Sequence, residues 1–150
     1  MAARDAGLLL DQPAGLLDEP AGGADQVEGD TLYGVTQVGP LVAVKLDTGE
    51  RLWSTFVPVL GQDEAGPKGA GTATSFLVKN GDRFFIFAET GDLVIAKLSP
   101  KGYEELSRAK LLDPTGTAYN RKVLWSHPAF ANRCVFVRND KELACFSLAE

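Results

Sequence analysis

The feature that most constrains this chain is an internal repeat. Three segments, residues 30–46, 82–98 and 132–148, align without gaps and start 52 and 50 residues apart. Leu41, Leu93 and Leu143 coincide, as do Leu46, Leu98 and Leu148. A period of this length marks an array of one supersecondary unit, in which each copy buries its apolar face only against its neighbours.

Each copy reads as a β-hairpin. A run rich in Val, Phe, Tyr or Leu ends at a turn suited to left-handed backbone (Gly39, Gly91, or Asn139-Asp140), and a second run returns. After the first hairpin, Asp47-Thr48-Gly49-Glu50 predicts a tight turn with Gly49 at positive φ, followed by a strand over residues 51–56. Ser99-Pro100-Lys101-Gly102 repeats the device before residues 103–111. The spacing of Tyr103, Leu106 and Leu111 also suits a helix, but the repeat position assigns that segment to strand. Residues 74–78 and 122–127 supply strands ahead of the later hairpins. The unit is therefore four strands, with three in the first copy, four in the second and three in the third.

Residues 1–29 have a different texture. The phrase Ala6-Gly7-Leu8-Leu9-Leu10-Asp11-Gln12-Pro13 recurs as Ala14-Gly15-Leu16-Leu17-Asp18-Glu19-Pro20. Pro and Gly recur too often for a stable helix, and β-branched residues are nearly absent, so a disordered low-complexity tail is expected. The division is thus a tail over 1–29 and a repeat region over 30–150. Residues 1–30 carry seven acids and one base, and the other 120 residues carry 13 acids and 14 bases. A nearly neutral body offers no basic field to a phosphate backbone, which argues against nucleic-acid binding. No apolar run is long enough to span a membrane. No basic start with a long apolar stretch marks a signal peptide.

The phrase Leu32-Tyr33-Gly34 through Gly39-Pro40-Leu41-Val42-Ala43-Val44-Lys45-Leu46-Asp47-Thr48-Gly49-Glu50-Arg51-Leu52-Trp53 resembles the repeat of pyrroloquinoline-quinone (PQQ)-type β-propellers. In that family an Ala and an Asp/Thr-Gly turn precede a Trp that docks between blades. Ala43, Asp47, Thr48, Gly49 and Trp53 approximate the pattern. In the second copy Leu106 falls near the Trp position, and in the third the motif is cut short. The resemblance covers residues 28–150. It implies an all-β fold, a partial β-propeller of two to three four-stranded antiparallel blades, whose terminal blade is commonly completed by a strand from the other end of the chain. It also implies a bacterial periplasmic or cell-surface setting.

Candidate chemistry is sparse. Trp53 is either a plane on which a quinone stacks or a wedge between blades, and its place after a Thr-Gly turn favours the wedge. Trp125 either faces a central channel or fills the third unit, the latter being expected. His127 is the one histidine and has no ligand-spaced partners for zinc. Its neighbour Pro128 marks a strand end. If Asn139-Asp140 form a two-residue turn, Cys134 faces Cys145. A direct cross-strand disulfide strains the sheet, so free thiols are expected. The Gly-rich stretch 61–71 lacks the Gly-Lys-Ser/Thr ending of a phosphate loop and reads as an inter-blade loop. Ligand contacts are expected around residues 71–73 or on the 113–121 loop. Asp63, Glu64 and Asp113 are loop acids that no spacing singles out for a calcium-bound quinone.

These observations predict a non-enzymatic scaffold or binding module, the C-terminal part of a larger repeat protein, with no catalytic, cofactor-binding or metal residues and no cofactor. Its partner is expected to be a protein, or a second copy met through open sheet edges. The alternative is a fragment of a PQQ-dependent oxidoreductase, which requires PQQ and calcium.

Overall fold

The computed structural model describes residues 4–5 (backbone only), 25–63 and 73–149. Alternating apolar runs and turn residues give an all-β architecture. A two-residue strand β1 (Arg4–Asp5) precedes a first sheet of β2 (Asp25–Glu28), β3 (Thr31–Val35), β4 (Leu41–Lys45) and β5 (Arg51–Thr55). A single helical turn, α1 (Val57–Leu60), follows, with Pro58 in its first turn and Gly61 left-handed at its end. The second sheet is β6 (Ser75–Asn80), β7 (Arg83–Ala88), β8 (Asp92–Ser99) and β9 (Gly102–Lys110). A small hairpin, β10 (Gly116–Ala118) and β11 (Arg121–Val123), leads to β12 (Ala129–Ala131), β13 (Cys134–Arg138) and β14 (Leu143–Ser147). The third sheet runs β12-β13-β14 and takes β1 as its fourth member, parallel to β14, with Arg4 opposite Phe146.

Register shows that the units are copies. Leu32 faces Val44 and Phe84 faces Ala96, so both strands of the second hairpin lie 52 residues after those of the first. A bulge recurs at the same place in each outer strand pair, between Ala43 and Val44 and between Ile95 and Ala96. Trp53 pairs with Ala43 and Ser107 with Ile95, so the second-copy counterpart of Trp53 is Ser107. Leu106 corresponds to Leu52, the bulged residue, and not to the tryptophan.

The middle sheet is covered on both sides, which is why Phe84–Ala88 of β7 and Leu93–Ala96 of β8 are continuously buried. Phe84, Ile86, Val94 and Ala96 point to the first sheet and pack with Tyr33, Leu41 and Ala43. Phe85, Phe87, Leu93 and Ile95 point to the third sheet and pack with Val135, Val137, Ala144 and Phe146. Ring contacts hold each seam: Tyr33 meets Phe84 edge-on at 5.6 Å, and Phe85 stacks on Phe130 at 5.0 Å. Each fully buried aromatic or aliphatic side chain stabilises the stack by about 2 kcal/mol.

Several expectations are corrected. The first sheet has four strands, because polar Asp25–Glu28 pairs with β3 and buries Gln26 against the second sheet. The sheet region thus begins before residue 30, and the rest of the expected tail lies outside the described residues apart from β1. Residues 122–127 are not the inner strand of the third sheet, because Arg121–Val123 pairs with Gly116–Ala118 and the inner strand is Ala129–Ala131. The turn after β13 is also not the two-residue turn that Asn139-Asp140 suggested. Arg138 faces Leu143, Cys134 faces Ser147 and Cys145 faces Phe136, because the Asn139 amide closes on the Glu142 carbonyl. The gapless alignment therefore slips by one residue in β13, where Val135 and not Cys134 is the counterpart of Phe84.

Candidate binding cleft

Antiparallel order puts the β3–β4, β7–β8 and β13–β14 turns at one end of the sheets, together with the β5–β6 and β9–β12 connections. Backbone bonds at this end repeat: the Ala73 amide donates to Gln37 O at 3.3 Å, and the Leu124 amide donates to Glu89 O at 2.8 Å. Connections that follow one sheet are thus pinned to the turn of the sheet before, and their side chains converge there.

Glu89 is the centre of that convergence. It sits just after β7, is almost fully buried, and receives Arg121 through Nε at 2.9 Å and Nη2 at 2.8 Å on one carboxylate oxygen. The second oxygen accepts Arg121 Nη2 at 3.0 Å, Trp125 Nε1 at 2.7 Å and the Thr74 amide at 3.2 Å. A charge taken out of water must be paired and hydrogen-bonded in this way. One residue therefore locks the residue leading into β6, β11 and the segment after it to the β7–β8 turn.

Two aromatic rings stand over this knot. Tyr119 is 74% exposed and Trp125 48%, their centroids lie 6.3 Å apart, and the Arg121 guanidinium lies 5.8 and 6.0 Å from the two rings. Tyr119 and Asn120 form the two-residue turn of the β10–β11 hairpin, both at positive φ, 49° and 60°. That region suits Asn and Gly, whereas left-handed backbone costs an L-tyrosine about 1 kcal/mol. The strain gains no core packing for Tyr119, since the turn holds its ring out in solvent. Val35, Thr36, Gln37, Ala73 and Thr74 form the opposite wall of a cleft of about 250 Å³. Thr36 Oγ1 on that wall is buried and has no hydrogen-bond partner within the protein.

Both Glu89 oxygens are engaged by two or three donors each, leaving no accessible lone pair for a general base. Arg121 is neutralised by the same carboxylate, and cation–π contact adds to its fixation. The cleft presents aromatic faces and a guanidinium held in place.

Residues singled out in the sequence are distributed as follows. Ala43 is buried, Gly49 has φ 70°, Asp47 pairs with Lys45 at 3.1 Å, and Thr48 Oγ1 accepts the Glu50 amide. Trp53 packs at the first seam, 6.0 Å from Tyr33, and donates to Ser99 O at 2.7 Å, which is an inter-sheet wedge. Trp125 does not fill the third sheet, since it caps Glu89 of the second. The His127 ring lies against Phe76 at 3.9 Å. Cys134 and Cys145 are free thiols. Asp63 accepts Thr55 Oγ1 at 2.7 Å, and Asp113 lies 3.9 Å from Lys110, while Glu64 and residues 64–72 are outside the described residues. Among the described residues no three His, Cys, Asp or Glu side chains are grouped to hold a metal ion, and no helix is long and apolar enough to cross a membrane.

The 113–121 loop and Ala73, expected to carry ligand contacts, both contribute to the cleft. Glu89 was missed, because a lone acid before a Thr-Gly turn looks like a turn residue and its partners lie 32 and 36 positions away. The available signal was Tyr119-Asn120 flanked by Gly-Thr-Ala and Arg-Lys-Val, a two-residue hairpin. No family model matches the chain, and no curated protein matches it.

Proposed function

We propose that this chain is a non-enzymatic binding module of β-propeller type, built from PQQ-like repeats, that recognises a protein partner through the Tyr119–Trp125 cleft. The observation that carries this reading is the pair of exposed aromatic rings flanking Arg121, Trp125 hydrogen-bonded to the buried Glu89 that pairs with Arg121, and Tyr119 on a strained turn. Tyr, Trp and Arg dominate the energetic centres of protein interfaces, because they bring large contact area with few rotors. Strain without a packing return is found where function requires a displayed side chain. An extended peptide segment offering one apolar or aromatic side chain suits a cleft of this volume.

Panning a displayed random-peptide library on the protein, with counter-selection on Trp125→Ala, tests this. Peptides sharing an apolar anchor, changing tryptophan fluorescence and losing about tenfold or more affinity against Tyr119→Ala or Trp125→Ala are expected. Failure to enrich any peptide that distinguishes the variants removes the reading. A calcium-dependent shift of PQQ absorbance on mixing would replace it with the oxidoreductase alternative.

A further inference from the structure

The two ends of the sheet stack are sticky in a patterned way. Leu46 and Leu98 are repeat counterparts, yet Leu98 is 7% exposed and Leu46 50%, because Leu98 is covered by the preceding sheet. At the other end Leu93 is fully buried under the third sheet, while its counterpart Leu143 is 59% exposed. The outer face of the first sheet thus presents Leu46 beside the half-buried Leu32 and Val44, and that of the third presents Leu143 beside the half-buried Phe136. These are the same strand positions that form the internal seams.

Charge adds direction. Asp25 lies on the outer face of the first sheet, with its carboxylate over Gly34, where an added Cβ would stand 2.0 Å from Oδ1. By register Asp25 is the counterpart of Leu77, since each faces the paired position, Gly34 or Ile86. Arg138, on the outer face of the third sheet, is the counterpart of Val35, as both face the first leucine of the returning strand. Leu77 and Val35 belong to the same internal core. If the stacking step is repeated once more, Arg138 and Asp25 take the places of those two residues.

We propose that the third sheet of one copy stacks on the first sheet of a second copy, and reciprocally, so that two chains close into a ring of six sheets. This interface uses sheet faces, not edges, and does not depend on the aromatic cleft. The contact is head-to-tail, and such contacts either close or grow into filaments. Closed propellers contain about four to eight blades, a range that two copies of three sheets meet and that one or three copies do not.

Light scattering on eluting protein tests this. The expected mass is twice the 16.0 kDa chain, falling toward one chain on dilution. Arg138→Glu and Asp25→Arg should each raise the dissociation constant about tenfold or more, and the combined reversal should restore pairing, because only a direct contact is repaired by exchanging signs. Far-ultraviolet dichroism must show that each variant is folded, and Leu143→Gln serves if Arg138→Glu is not. A chain that stays monomeric at its highest soluble concentration overturns the proposal. So do masses that keep growing with concentration, or a combined variant no better than the single ones.

Discussion

The indole N–H of Trp53 donates to the carbonyl oxygen of Ser99 at 2.7 Å, fastening the last strand of the first sheet to a turn of the second. The ring covers the seam and the nitrogen fixes its orientation. Trp53→Phe should cost about 1 kcal/mol, the net worth of one hydrogen bond. Trp53→Ala should cost about 3 kcal/mol by opening a gap beside Tyr33 and Phe84. Urea unfolding of both variants checks the order.

The Glu89–Arg121 pair gives a second prediction. Arg121→Ala leaves the buried Glu89 carboxylate uncompensated and should destabilise by about 3 kcal/mol, whereas Glu89→Ala leaves the partly exposed Arg121 and should cost less. The double change to Gln and Met should cost less than either alone. In a double-mutant cycle, additive costs would mean that the pair acts independently, contrary to the geometry. Either single variant should also loosen Trp125, seen as a red-shifted emission.

One cluster should contribute to both the acid and the alkaline limits of stability. Burial pushes the Glu105 carboxyl up, but hydrogen bonds from Arg108 and Tyr103 outweigh it, and the group ends below its usual 4.5. A depressed carboxyl contributes stability that is complete above its unfolded value and is lost as pH falls through the folded one. Glu105→Gln should therefore flatten the decline of stability below about pH 4.5. Burial first, then the hydrogen bond to Glu105, raises the Tyr103 phenol above its usual 10. Its contribution is complete below 10 and fades as pH rises above it, so Tyr103→Phe should lessen the alkaline loss. Denaturant midpoints across pH read both.

Gly91 supplies a fourth prediction. Its φ is 88°, and an added Cβ would stand 1.9 Å from the Leu112 carbonyl oxygen, which no backbone there can avoid. Gly91→Ala should lower stability by more than about 1 kcal/mol, while Gly81→Ala, at positive φ but facing open space, should cost less. Thermal melts of the pair separate the steric part from the conformational part.

The hairpins were legible because alternation and turn glycines act locally: Leu41, Leu93 and Gly91 announce strand and turn within a few residues. Trp53 was legible as a wedge for the same reason, since a Thr-Gly turn sets its distance from Ala43. Asp25–Glu28 was not, because an inner strand with a single apolar residue is held by pairing with β3 and by Gln26 reaching Leu77, which are contacts made by distant parts of the chain. The one-residue slip in the third copy has a similar origin. A turn shortened by one residue flips every side chain ahead of it, and only the core reveals which face is inward. The cleft was half legible: its loop was identified, but the acid that anchors it was not. Ion pairs across three elements leave no periodic trace.

Coverage of the middle sheet from both sides has a kinetic meaning. Amides of β7 and β8 can meet solvent only when neighbours on either flank have separated, so their deuterium uptake should report global opening, whereas β1 and β12 should exchange through small local fluctuations. The protein's clock for complete unfolding is thus set at its centre, and its margins keep a faster time of their own.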